Sequence, residues 1–397
     1  MSFDPKKAKH VGRLRFEGAW TTSVAFLDDG RKVAAANREG QIYIWRLPEE
    51  FVAEQGDKKS DEPPFGPSPV RRLDGHTNGV TQLIAAPDGK TLISSSLDHT
   101  VRIWDTSLAV EAKAEAVLDA ESREREAAKA RNDEPLNRPG VQVELQTECD
   151  VLEAHSDWVR ALNISADGRR LISGGDDRLT VVWDLAARKE VARWQGHPLT
   201  WVVSAALSPD GEKAFVAEFS DSRGSFDRPP AQARIFDATS GSELVDLLKV
   251  QFPNVKVRDN SYGYGTTWIK FVGRGFVASE FSPDGKLLAV AQGGETGSGK
   301  VHLIDAANGK LVRTFADHQS GALDVRFSSD GEYVLSTGRD TTVQIHQASD
   351  GKEVARLGKG RGGQFKDWLH AVALSPDEQW LAAADISGLV ELWRFES

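Results

Sequence analysis

Short runs of alternating apolar and polar residues recur along the chain in sets of four, separated by turn-forming residues. One kind of turn returns seven times: LDDG ending at Gly30, APDG at Gly89, SADG at Gly168, SPDG at Gly211, SPDG at Gly285, SSDG at Gly331 and SPDE at Glu378. Asp-Gly between two alternating runs predicts a hairpin, because glycine tolerates the positive φ of a tight turn. A third run follows each pair and ends at Trp45, Trp104, Trp183, Phe236, Ile304, His346 and Trp393. A fourth run opens the next unit and often closes on histidine, at His76, His155, His197 and His318. The pattern predicts seven units of four antiparallel strands.

These residues resemble the WD-repeat family. The best copies are 70–105 and 149–184, which carry Trp104-Asp105 and Trp183-Asp184. The resemblance implies an all-β, seven-bladed β-propeller of four-stranded antiparallel blades. Four segments interrupt the pattern: 48–69, 107–148, 219–230 and 249–275. Set aside, they leave about 42 residues per unit, within the ~40–45 of this repeat. The expectation is therefore one propeller domain over 1–397, although length alone suggests two or three domains. The last copy lacks a fourth strand. The run VGRLRF (11–16), with Leu14 and Phe16 on one face, is predicted to pair with the last strand and remove an unpaired edge.

The resemblance also implies a hydrogen-bonded set in each good blade: His76, Ser94, Asp98 and Trp104, then His155, Ser173, Asp177 and Trp183. Copy six keeps His318, Ser336 and Asp340 but has His346 for tryptophan. Ser, His and Asp together suggest a nucleophilic triad. Recurrence in several blades argues instead for a self-satisfied structural network that pins loops.

Composition adds mainly exclusions. No run approaches the ~18 apolar residues of a spanning helix. Residues 1–30 lack a basic region followed by an apolar core, so no secretory signal is expected. A single cysteine, Cys149, permits no internal disulfide and no cysteine cluster for zinc, which by default suggests a cytoplasmic protein. The net charge of −10 argues against nucleic acid or an anionic membrane as partner of the whole surface. Gly294 to Gly299-Lys300 is one residue short of a phosphate loop, and Val301 replaces its Ser or Thr. The run Gly358 to Gly363 reads as a flexible basic loop, and the sequon at Asn163 falls inside a strand. No catalytic residue, metal site or cofactor is expected.

Function is expected on the loops. Segments 219–230 and 249–275 fall in neighbouring top-face connections of the fourth and fifth units. They carry Phe226, Arg228, Lys256, Arg258, Tyr262, Tyr264 and Trp268, aromatic and cationic types that favour binding. Trp20, Trp158, Trp201 and Trp368 open first strands beside the channel mouth. Segment 107–148 is predicted to lie on the opposite face as a charged, largely solvated helix to about Arg131, dispensable for the ring. The expected function is a non-enzymatic scaffold that binds a protein or an acidic peptide through the top face, with Trp201 extending the site. The alternative is a small-ligand receptor or enzyme at the top mouth.

Overall fold

The computed structural model describes residues 3–15, 20–49, 66–116, 141–219, 231–251, 275–293, 298–319, 321–358 and 368–396. Seven sheets are arranged in a ring, each entered through an innermost strand: Thr21–Leu27, Val80–Ala85, Val159–Ile164, Trp201–Leu207, Phe276–Phe281, Ala322–Phe327 and Leu369–Leu374. Successive strands of a blade pair antiparallel and step outward, so the chain forms a seven-bladed β-propeller. The turn glycines explain the hairpins. Gly89, Gly168, Gly211, Gly285 and Gly331 lie at φ from +70 to +73, and in the last copy Glu378 takes φ +55. A serine before the turn fastens it: Ser165 Oγ donates to Asp167 Oδ1 at 2.6 Å and accepts from the Arg170 amide at 3.0 Å.

Every innermost strand carries a register shift near its start, between Thr21 and Ser23 in blade one and at equivalent points in the other six. The residues at these bulges are Thr22, Thr81, Arg160, Val203, Val277, Leu323 and His370. All seven line one central cavity. A bulge re-aims side chains locally, and here its repetition turns one residue per blade into the channel.

Among the described residues, the inner edge of each first strand has no neighbouring strand, so its amides need partners. Neighbouring blades supply them. Ser23 Oγ accepts from the Leu83 amide at 2.9 Å, Gln82 Oε1 from Leu162 at 2.6 Å, and Asn163 Oδ1 from Leu207 at 2.9 Å. Ser204 and Ser279 share a hydroxyl bond at 2.7 Å; Glu280 accepts from the Phe327 amide, and Asp324 from Val372 at 2.9 Å. At the seventh junction, from blade seven to blade one, the Trp20 amide donates to the Ile386 carbonyl at 3.0 Å.

Blade seven is completed by Ala8–Arg15, which pairs antiparallel with Leu389–Phe395 from Ala8 opposite Phe395 to Arg15 opposite Leu389. Leu14 is fully buried there. Ahead of the strand, Phe3 packs edge-on against Tyr333 and Phe395, with centroids at 5.5 and 4.7 Å. Phe16 lies outside the described residues. Both ends of segment 48–69 lie against this blade: Arg394 donates to the Glu49 carbonyl, and the Gly66 amide donates to the carbonyl of Arg13.

The insertion 107–148 departs from its expectation. Its described ends are strands, Lys113–Ala116 and Val141–Gln146, which pair with each other and extend blade one to six strands. Val141–Gln146 runs parallel to the outer strand Arg71–Leu73. Residues 117–140 lie outside the described residues. Helix propensity loses at 113–116 because a partner strand and an apolar wall are available: Val143 is 2 % exposed within the blade-one core, and Ala114 packs beside it. Arg71 anchors the addition, donating to Glu144, Gln146 and the carbonyls of Thr106 and Leu108.

Candidate functional site

Polar side chains converge in two kinds of place: inside blades two, three and six, and at the mouth of the channel. In blade two, His76 Nδ1 meets Asp98 Oδ2 at 2.8 Å and His76 Nε2 meets Ser94 Oγ at 2.7 Å. Trp104 Nε1 donates to Ser94 Oγ at 2.9 Å. Burial lowers the His76 pKa, so the ring is neutral. Burial opposes ionisation of Asp98, but the bonds from His76, Thr100 and Thr77 outweigh it and hold the carboxyl below its usual range. The donor balance then has one solution: Trp104 N–H to Ser94, Ser94 O–H to Nε2, and Nδ1–H to Asp98.

Blade three repeats this with His155, Asp177, Ser173 and Trp183 at 2.8–3.0 Å for the shortest contact of each pair. Blade six places His318 2.9 Å from both Asp340 and Ser336. Its tryptophan position holds His346, stacked on Phe315 at 4.9 Å, with a pKa lowered to about 4, chiefly by burial. Ser94, Ser173 and Ser336 are each 0 % exposed, so these hydroxyls present no nucleophile to a substrate.

Where the histidine set is incomplete, other acids and amides hold the loops. Asn37 Oδ1 accepts from the Glu39 and Gln41 amides in blade one. Glu218 accepts from the His197 amide and from Thr200 Oγ1 in blade four. Asp385 accepts from the Ser387 and Leu389 amides in blade seven.

The channel mouth gathers tryptophan and arginine. Arg38 lies over Trp20 at 4.3 Å, Arg160 over Trp158 at 5.0 Å, and Arg339 over Trp368 at 4.2 Å. Trp20 and Trp158 are each 40 % exposed. Trp201 is half-buried and stacks on Phe219 at 5.7 Å. Trp20 also has φ +68, a left-handed conformation that costs a bulky side chain on the order of 1–3 kcal/mol. The hydrogen bond its N–H donates to the Ile386 carbonyl secures that conformation across the last junction.

Below the mouth lies a cavity of about 380 Å³, lined among others by Trp20, Arg38, Arg160, Arg326, Asp324 and His370. Arg160 is paired with Asp176 at 2.5 Å, and Arg326 stands 3.4 Å from Asp324. Burial pushes Glu280 up to about 7 against the pull of Arg326. Burial, followed by Arg339 and Arg38, lowers His370 to about 4, leaving its imidazole neutral. Among the described residues, no group of three or more His, Cys, Asp or Glu could hold a metal ion.

Of the sequence-predicted binding residues, Trp201 opens the innermost strand of blade four, two residues ahead of the cavity-lining Val203. Phe226 and Arg228, and likewise Lys256, Arg258, Tyr262, Tyr264 and Trp268, lie outside the described residues. The segment 249–275 begins inside a helix, Leu247–Gln251, whose Leu247 and Leu248 are buried. The stacked arginines escaped the sequence reading. Their signal is a shared offset: Arg38 and Arg339 each follow the second strand of a blade directly.

The WD domain, G-beta repeat family matches residues 67–105, 146–184 and 309–347. These are the three stretches that supply the histidine, serine and aspartate sets. The chain is also similar to Cross-pathway control WD-repeat protein 2 of Flammulina velutipes, 26 % identical over 220 residues, covering 52 % of this chain and 64 % of the relative. It is 25 % identical over 252 residues to Small ribosomal subunit protein RACK1 of Caenorhabditis elegans, covering 61 % and 72 %. Against Autophagy-related protein 16 of Arabidopsis thaliana it is 25 % identical over 255 residues, covering 61 % of this chain and 48 % of that relative. With three matched repeats, WD-repeat relatives and a ring of seven four-stranded blades, the chain belongs to the WD-repeat β-propellers.

Proposed function

We propose that this propeller is a non-enzymatic scaffold that holds a protein or peptide partner on its top face. The observation that carries the reading is the array of tryptophans under arginine at the channel mouth, two of them 40 % exposed. Trp and Arg dominate interface energies, and rigid strands on every side preorganise them. Two relatives fit: one is named as a small ribosomal subunit protein, another as an autophagy-related protein. In this reading Trp201 and the insertion residues Phe226, Arg228, Lys256, Arg258, Tyr262, Tyr264 and Trp268 extend the contact around blades four and five, and the partner is acidic. A cytoplasmic setting belongs to the same proposal; no described helix is long and apolar enough to cross a membrane.

A second reading, a small-ligand receptor, draws on the cavity, whose volume falls within the ~300–1,000 Å³ of small-molecule sites. The two separate in one experiment. Partners recovered from native cells by the intact protein are compared with those recovered by Trp158→Ala and by Asp88→Lys, a change on the opposite face. The scaffold reading expects a partner lost with Trp158→Ala and kept with Asp88→Lys. Equal recovery by all three would remove the top face from the function.

A further inference from the structure

The mouth at the closing junction combines features that point to one ligand chemistry, and this deepens the scaffold reading on which it rests. Arg38 is exposed, and no described carboxylate lies within ion-pair distance of it, whereas Arg160 and Arg326 have Asp176 and Asp324. Its guanidinium lies over the Trp20 ring at 4.3 Å. That ring is itself held in a left-handed backbone conformation by a bond across the junction. That conformation leaves the ring beneath the Arg38 guanidinium at the mouth. A stacked guanidinium keeps its edge donors directed away from the ring face, preorganised for a planar two-oxygen partner.

Charge and space agree with this. Among the described residues lining the cavity, Arg326 is offset by Asp324 and Arg160 by Asp176 just outside the lining, which leaves Arg38 as the cation without a carboxylate at ion-pair distance, in a protein of net charge −10. His370 lines the same wall, 6.5 Å ring to ring from Trp20, and offers a neutral ring N–H. A cavity of about 380 Å³ admits a side chain and excludes a folded element.

We propose that the channel mouth between blades seven and one is an oxyanion site that takes the carboxylate of an acidic side chain from a partner peptide. Arg38 is its principal donor, Trp20 the ledge that orients Arg38, and His370 a second polar contact.

The test is fluorescence anisotropy with dye-labelled hexaglutamate, hexaglutamine and a phosphoserine peptide. Hexaglutamate is expected to bind and hexaglutamine not. Arg38→Gln should weaken hexaglutamate at least tenfold at an unchanged melting midpoint, because Arg38 is exposed. Arg169→Gln, which removes an equally cationic but 84 % exposed side chain on the opposite face, should leave binding as it was. Trp20→Gly separates binding from folding: glycine accepts φ +68, so the midpoint should hold or rise while hexaglutamate binding falls. Equal losses with Arg38→Gln and Arg169→Gln would reduce the effect to bulk charge and overturn the site. Binding of the phosphoserine peptide alone would overturn the carboxylate assignment. A cellular partner captured through the top face but indifferent to hexaglutamate would remove this proposal and leave the scaffold standing. Hexaglutamate binding through Arg38 with no cellular partner captured would do the reverse.

Discussion

Gln82 Oε1 in blade two accepts the backbone amide of Leu162 in blade three at 2.6 Å. Leu162 lies on the innermost strand of its blade, where the ladder continues on one side only. The side chain of one blade therefore substitutes for a missing strand of the next. Gln82→Leu leaves the amide without that acceptor and should cost about 1–3 kcal/mol, the penalty for a buried unsatisfied donor. Gln82→Glu keeps the acceptor and should lose less. Urea titrations of both variants check the order.

The N-terminal strand should be required for a cooperative fold. Phe3 is 7 % exposed between Tyr333 of blade six and Phe395 of blade seven, and Leu14 is 0 % exposed. Phe3→Ala should lower stability by about 3–5 kcal/mol. Removal of residues 1–15 should abolish the sharp thermal transition; an unchanged melt would show that the pairing with Leu389–Phe395 is incidental.

Arg71 should control the insertion. Its guanidinium contacts Glu144, Gln146 and two carbonyls at 2.8–3.0 Å while its side chain is only 12 % exposed. Arg71→Ala leaves those acceptors uncompensated. The expected outcome is faster trypsin cleavage within 107–148 and a lower melting midpoint, because Val143 belongs to the blade-one core. Replacing 107–148 by a short Gly-Ser turn should also lower the midpoint, contrary to the expectation that its charge makes it dispensable.

Asp385 gives a pH signature. Burial raises its pKa from 3.8 to about 6, although Ser387 and Leu389 donate to it. A raised carboxyl pKa adds stability that is complete below the unfolded value and is lost as pH rises through the folded one. Asp385→Asn cannot ionise and retains an acceptor oxygen. Its stability relative to wild type should therefore improve as pH rises from about 4 to 6 and level off above, by a few kcal/mol at ~1.4 kcal/mol per pKa unit. A gap independent of pH would show that Asp385 titrates normally.

The repeat was legible because its signals are local. The turn and the alternating runs each occupy a few adjacent residues and return seven times, six of the turns as Asp-Gly, and four of the seven third runs end in tryptophan. The missing outer strand was legible by subtraction, and Ala8–Arg15 fills it. Lys113–Ala116 misled because helix propensity is a local quantity, while its strand partner begins at Val141. The bonds between blades were hidden for another reason. Ser23, Gln82, Asn163, Glu280 and Asp324 share a role, but they differ in type and fall at two different offsets from the bulge. The stacking of Arg38 on Trp20 depends on two loops meeting in space, so only the tryptophans could be read from the chain.

Pairing Ala8 with Phe395 fixes an order of events during synthesis. At the ribosome's ~5–20 residues per second, the first strand waits about 20–80 s for its partner to be made. Meanwhile it is an unpaired β-segment carrying Leu14, the kind of sequence that joins copies of itself. Residues in the strand and just ahead of it answer that hazard: Lys9, Arg13 and Arg15 within it and Lys6 and Lys7 before it give the waiting segment a dense positive charge, and like charge keeps nascent chains on neighbouring ribosomes apart.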